Sequence, residues 1–558
     1  MMIFAAIVVA LALALALALP AALLAAPYDA GQGLRDVQPP RLGVPAERAP
    51  DWQIEERAPL RLPDGRRIAI HAFKISGAGL YPEAELRALL ADAEGREHSL
   101  AELQQLAERI TRHYRDDGYL LARAYLPAQE IRDGVLEIAV LEGRLGQVEL
   151  DNHSGLADAV LTAPLSSLER GAVLRQRTLE RSLLLLSDTP GVEVQSTLRP
   201  GVSVGASDLK VEVAPGRRLT GNVNFDTYGN RYTGQYRSGA AIDFNNPFQL
   251  GDQFSVRAVV SDAAMSYVRG AYQLPLGPFG TRVGAAYSDM RYELGKEFAA
   301  LNADGEAQIA SLYALHPLLR SRSFNLYAQL GYDNKRLVDR AGRVQTVSNR
   351  QVDAWTASLS GDGRDDLAGG GVMSYSLAYT AGNLGLNSAP DLAMDGSSTR
   401  RAGGYDKWSL NLLRLQQLSD DTSLYLAYTR QFARKNLDSS EKLSLGGAYG
   451  VRAYPQGEAT GDEGHLLTAE LRRNLALPLP GLWQAAAFFD HGRITLNSRP
   501  WVAGGNHLSL SGAGLALHAM QPDDWLVKFT LAWRVGDEMP SSGPDAAPRV
   551  WAQAVKYF

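Results

Sequence analysis

From about Gly216 to Phe558 the chain alternates apolar and polar residues with a period of two, and no other feature restricts its fold so strongly. Trp525, Val527, Phe529, Leu531, Trp533 and Val535 share one face of a strand, while Lys528, Thr530, Ala532 and Arg534 share the other. Phe324, Leu326, Ala328, Leu330 and Tyr332 repeat the pattern against Asn325, Gln329 and Asp333. An apolar face outside and a polar face inside, sustained over about ten residues, is the pattern of a membrane barrel with a wet lumen. Sixteen such segments can be counted, from 218–227 to 549–558, among them 307–316, 322–335 and 351–361. The expected fold is therefore membrane all-β, a 16-stranded outer-membrane β-barrel over 217–558. Short connections, such as Leu276 to Gly280, should face the periplasm, and long ones, such as Lys435 to Glu463, the outside.

The chain has 558 residues, no cysteine and a formal net charge of −5. Such a balance offers no basic excess for nucleic acid. Residues 1–26, apolar throughout, read as a secretory signal peptide cut near Ala22 or Ala25. Residues 27–66, punctuated by Pro27, Pro39, Pro40, Pro45, Pro50, Pro59 and Pro63, read as an extended Pro-rich linker.

Between linker and barrel lies a β-α-α-β-β unit. Ile68 to Phe73 alternates as a strand, and Ser99 with Glu102 makes a capping box for a helix with an apolar stripe of Leu103, Leu106, Ala107, Ile110 and Tyr114. Strands Leu121 to Leu126 and Val135 to Leu141 follow. The order then recurs: Gly118-Tyr119 matches Gly191-Val192, and Leu136 to Val140 with Gly143 matches Leu209 to Val213 with Gly216, both at an offset of 73 residues. A duplicated domain follows, with units at 67–145 and 146–216.

Two motifs stand out within the barrel. Val451-Arg452-Ala453-Tyr454 lies in the long loop after the eleventh strand, and Phe488-Phe489-Asp490-His491-Gly492 lies on a strand. Alternation puts Phe488, Asp490 and Gly492 on the polar, lumen face, so Arg452 of an infolded loop and Asp490 of the wall can pair and plug the barrel.

Two α/β units ahead of a sixteen-strand barrel with these motifs resemble the TpsB family of two-partner secretion transporters, the hemolysin secretion/activation proteins. The resemblance covers about Ile68 to Phe558. It implies that the repeats are periplasmic POTRA domains and that loop 6, 435–463, folds into the lumen. It further implies that Val451, Arg452, Ala453 and Tyr454 are the loop-6 motif, with Ala453 where the family has glycine, and that Phe488, Asp490 and Gly492 are the wall motif. The implied function is secretion, with or without activation, of a large TpsA-type exoprotein without ATP. The implied surroundings are outer-membrane lipid and the barrel assembly machinery, which would read Phe558 as an insertion signal, with the barrel as a monomer. An insertase of the same superfamily and a passive porin are the alternatives. The family often has an N-terminal plug helix; Tyr28 to Gln38, short and interrupted by Gly31 and Gly33, leaves such a helix unassigned. Lys556 is also unusual so near the end of a final strand.

Catalytic motifs fail on context. Gly201-Val202-Ser203-Val204-Gly205 sits in a hairpin and not on a strand-to-helix elbow. The nine histidines lack ligand spacing, and no Lys-Ser/Thr follows Gly446 to Gly450. No catalytic residue, metal or cofactor is expected.

Overall fold

The computed structural model describes residues 28–38, 51–54, 67–203 and 205–558. The signal and most of the linker lie outside them. Sixteen antiparallel strands, from Leu219–Asp226 to Arg549–Tyr557, form a closed barrel. Closure runs from Asn222 opposite Tyr557 to Asp226 opposite Gln553. The side chains obey the alternation read from the sequence: Trp355, Leu359, Phe529 and Trp533 point outward and are exposed, whereas Thr530 and Ala532 face inward and are buried. Apolar groups this exposed in so regular a band fit a hydrocarbon surround. Lys556, the unexpected charge near the end, forms an ion pair with Asp524.

Three strands are longer than expected, because Ala303–Arg320, Phe324–Ala341 and Thr346–Asp365 replace 307–316, 322–335 and 351–361. The added residues at the end away from the α/β units bring charges onto the outer face, where the apolar alternation stops. Arg340, for instance, bridges Asp304 at 3.0 Å and Glu306 at 2.6 Å across a strand pair. Apolar alternation cannot mark strand that has left the hydrocarbon, although backbone pairing continues.

The two α/β units share one topology. In the first, Ala72–Ser76 runs parallel to Val135–Leu141, which pairs antiparallel with Arg123–Tyr125. In the second, Arg144–Asn152 runs parallel to Ala206–Pro215, which pairs antiparallel with Val192–Pro200. The main helix of the first, Leu100–Asp116, carries the Ser99–Glu102 capping box and buries Leu103, Leu106, Ala107, Ile110 and Tyr114. Its counterpart, Gln176–Ser187, buries Leu179, Leu183 and Leu186. Both helices are left through a glycine with positive φ, Gly118 at +87° and Gly191 at +71°, where any side chain would be strained. The expected single strand Ile68 to Phe73 breaks at His71. There the amides of His71 and Ala72 both reach the Gly134 carbonyl, and the chain passes from a pairing with Arg96–Ser99 to the main sheet.

The second unit is seated on the barrel. Asp188, just past its helix, takes a two-pronged contact from Arg320, Nε to Oδ2 at 2.8 Å and Nη2 to Oδ1 at 2.9 Å. Arg181 donates to the Pro317 carbonyl at 2.8 Å, and the Arg322 amide donates to Glu180 at 2.5 Å. Its outer edge, Val192–Pro200, is covered by Asp51–Ile54, which pairs with it in parallel.

Residues 28–38, read from the sequence as part of an extended linker, instead form a helix inside the barrel, Ala30–Val37, capped by Asp29. Gly31 and Gly33 are the reason that it fits. A β-carbon on Gly31 would lie 2.3 Å from Ser439 Oγ and 2.5 Å from the Ser440 amide, and one on Gly33 would lie 2.9 Å from Met290 Cε. The two glycines cost helix propensity but permit close approach to loop and wall.

Candidate functional site

The long loop between Thr422–Ala433 and Glu463–Leu475 turns back into the lumen as a narrow hairpin, with Leu443–Ser444 paired to Thr460–Gly461. Its tip is built from residues that tolerate a tight path: Gly447 has φ +121°, and a β-carbon on Gly450 would lie 1.9 Å from the Leu445 carbonyl oxygen. Val451, Ala453 and Tyr454 are buried at this tip, each at 1% exposure or less.

Arg452 projects from the tip onto the inner wall. Its Nε donates to Asp490 Oδ2 and its Nη2 to Asp490 Oδ1, both at 2.9 Å, and its own amide donates to Oδ2 at 3.1 Å. The remaining fork of the guanidinium, Nη1, donates to Glu470 Oε2 at 2.9 Å. The plane of the group lies over Phe488, its central carbon 3.3 Å from the ring centre. Thr468 donates to Asp490 at 3.0 Å and Arg472 to Glu470 at 2.8 Å. A planar fork that meets two carboxylates and an aromatic face is the kind of site that lysine cannot occupy equivalently. Asp490 has no exposed surface, so removing its partner would strand a buried charge.

The wall motif reads from this geometry. Phe488 stacks, Asp490 pairs, and Gly492 leaves room for Leu445 of the loop, whose Cδ2 lies 2.7 Å from where a β-carbon would be. Ala453, which stands where glycine was expected, is absent from the residues with positive φ, so alanine is unstrained there. Its methyl is received by Gly512, where an added β-carbon would lie 2.7 Å away. Phe558, the remaining residue singled out, is remote from this cluster, and its backbone pairs with Gly221 at the barrel seam.

Further contacts hold the loop that the sequence did not disclose. The Glu458 carboxylate accepts from the amides of Ser541 and Ser542 at 2.8 to 3.1 Å and from both hydroxyls at 2.5 Å, which ties the loop to the last loop of the barrel. Trp551 Nε1 donates to the Arg452 carbonyl at 2.7 Å, and Tyr454 Oη to the Glu538 carbonyl at 2.9 Å. Arg350 gathers helix, loop and wall at one point, with Asp29 at 3.2 Å, Asp438 at 2.7 Å and Asp339 at 2.5 Å. Glu470 had a sequence signal, since it shares a lumen face with Thr468 and Arg472 and lies opposite Phe488. Arg350 had none, because its partners are 11 to 321 residues away.

Comparison with known proteins follows the same lines. The family model described as haemolysin secretion/activation protein ShlB/FhaC/HecB matches residues 205–518, and the POTRA domain model of ShlB type matches residues 68–143. The heme/hemopexin transporter protein HuxB of Haemophilus influenzae is 30% identical over 479 residues, covering 85% of this chain and 84% of that protein. The hemolysin transporter protein ShlB of Serratia marcescens is 25% identical, covering 76% and 75%. Among solved structures, CdiB from Escherichia coli superposes with a TM-score of 0.69 at 23% identity, covering 88% of this chain and 91% of that one. At that identity it speaks to the fold alone.

Proposed function

The chain belongs to the haemolysin secretion/activation protein family of ShlB, FhaC and HecB, and from that premise we propose that the Arg452–Asp490 contact is the latch of a protein exporter. The protein is an outer-membrane transporter that secretes a partner exoprotein by two-partner secretion, with its α/β units in the periplasm. We read the partner as a large TpsA-type exoprotein, as the names of the hemolysin and heme/hemopexin transporters suggest. The barrel acts as a monomer in outer-membrane lipid, placed there by the assembly machinery with Phe558 as its signal, and transport requires no covalent step.

In this reading the POTRA units hold the unfolded partner as an added strand. The edge Val192–Pro200 supports this, because it already accepts Asp51–Ile54 in that manner. The observation that carries the latch is the two-pronged Arg452–Asp490 pair, which keeps loop 6 across the lumen. Its test exploits a chain free of cysteine. Ala453→Cys and Gly512→Cys, oxidised together, should lock the loop with a small outward shift and stop release of the partner, and reduction should restore it. Undiminished secretion from the oxidised double variant would refute the latch.

A further inference from the structure

Two residues of the wall motif take no part in the latch. Asp490 and Gly492 turn inward, so Phe489 and His491 turn outward, and with Arg493 they stand on the outer face of the strand Leu482–Thr495.

Strand register sets them in basic company. Arg430, His465, Arg493 and Ser509 lie directly opposite one another on four adjacent strands, Thr422–Ala433, Glu463–Leu475, Leu482–Thr495 and His507–Gln521. One step towards the middle of the wall, His491 faces Ser511, whose hydroxyl lies 2.8 Å from its Nδ1. Arg430 Nη1 donates to His465 Nδ1 at 3.4 Å, and the His465 and His491 ring centres are 6.1 Å apart. Both imidazoles thus use Nδ1 within the cluster and leave Nε2 for something outside it.

The charge of the cluster is not balanced from within. Among the described residues, no carboxylate bonds to Arg430, His465, His491 or Arg493. Glu463, next on the same face beyond His465, accepts instead from the Ser498 hydroxyl at 3.2 Å. Elsewhere on the outer rim, Arg340 meets Asp304 and Glu306, and Arg291 meets Asp289. Like charges placed directly opposite on neighbouring strands weaken a sheet. An anion from outside, held by charge-assisted hydrogen bonds, reverses that contribution.

Position in the wall selects the anion. Below His491 the next row, Leu426, Ala469, Phe489, Ala513 and Trp533, is apolar throughout, and Leu426, Phe489 and Trp533 are exposed. Loop 6 joins the barrel at Glu463, so the cluster lies where hydrocarbon gives way to the head groups of the outer leaflet. An amphiphile with phosphate above acyl chains matches both parts of this face. The row from Arg430 to Ser509 crosses three strand intervals, about 14 Å, which suits a head group bearing more than one phosphate.

We propose that this face is a binding site for a phosphorylated lipid of the outer leaflet, with its phosphates on Arg430, His465, His491 and Arg493 and its acyl chains on Leu467, Phe489 and Leu515. The site is separate from the latch and rests only on the outer-membrane location of the barrel.

The test titrates the full-length transporter, in detergent micelles, with bis-phosphorylated lipid A and counts bound lipid by native mass spectrometry. Binding of lipid A should saturate, and the same lipid stripped of its phosphates should bind at least about fivefold more weakly, as the loss of charge-assisted hydrogen bonds requires. Arg493→Gln should weaken lipid A by a similar factor, and Arg430→Gln combined with it by more. Arg336→Gln, which removes an exposed outward cation from Phe324–Ala341, should change binding by no more than about twofold, since distant surface charges are screened. Heat-dependent gel mobility reports that each barrel is closed. Equal binding of the two lipids, no binding of either, or an equal loss from Arg336→Gln would overturn the site. Displacement of lipid A by millimolar inorganic phosphate would assign the cluster to a free anion and overturn the lipid.

Discussion

At Arg452 one side chain of the loop tip satisfies two buried carboxylates of the wall, so its removal strikes the latch directly. Arg452→Ala should leave Asp490 buried without its cation and Glu470 with Arg472 alone, at about 3–5 kcal/mol for a broken buried pair, less whatever water in the lumen returns. Loop 6 should then leave its seat more often, to be read as raised and unsteady conductance in planar bilayers. Arg452→Lys should recover little, since an ammonium cannot span both carboxylates and stack on Phe488. The Arg452→Ala, Asp490→Ala double variant should be much less than additive, and full additivity would mean that the two residues act separately. Gly512→Val should also raise conductance, because its branched side chain crowds the seat of Ala453 more than a single thiol does, whereas Ala453→Gly should leave conductance near that of the unaltered chain. The pairing of Arg452 with Asp490 was readable beforehand because a period of two assigns every wall residue a side. Glu458 and its four donors were not readable, since no periodicity governs contacts between two irregular loops.

Single elements offer sharper contrasts between sequence and structure. The barrel strands announce themselves over the length that touches hydrocarbon and fall silent beyond it, which is why Ala303–Arg320 and Thr346–Asp365 ran past their expected ends. The helix Ala30–Val37 was missed for a different reason. Its glycines count against a helix in water, and only the wall and loop packed around it make them favourable. Gly31→Ala should expel this helix, since its new methyl meets Ser439 Oγ and the Ser440 amide, with open-state conductance as the measure. The capping box of the POTRA helix behaves oppositely and was legible in full. Ser99→Ala should cost about 1 kcal/mol, visible as faster hydrogen exchange in the first turn of Leu100–Asp116. The Ser99 amide, bonded to Glu102, holds that carboxyl below its ordinary range. A depressed carboxyl stabilises the fold above the unfolded pKa, so this contribution should be full near neutrality and fade as pH falls through the acid range.

For the whole molecule, under the proposed function, the seat of the second POTRA unit on the barrel is the joint that aligns capture with passage. Arg320→Ala removes both prongs on Asp188. The barrel should remain closed and heat-modifiable while partner release falls severalfold, and normal release would show that alignment is not needed. The count of strands, the duplication and the lumen motifs came from local pattern, while the seating of one part on another came from pairs such as Asp188 and Arg320, 132 residues apart, that no pattern links. One arrangement of these parts sets a length. The lumen helix is capped by Gln38, and Asp51 begins a strand on the second POTRA unit. About thirteen residue steps separate the two, a reach of no more than roughly 45 Å even when fully drawn out. The helix is thus a stopper on a short leash: it can quit the lumen towards the periplasm without drifting away, and while the strand holds, it stays within range to reseal the barrel once the cargo has passed.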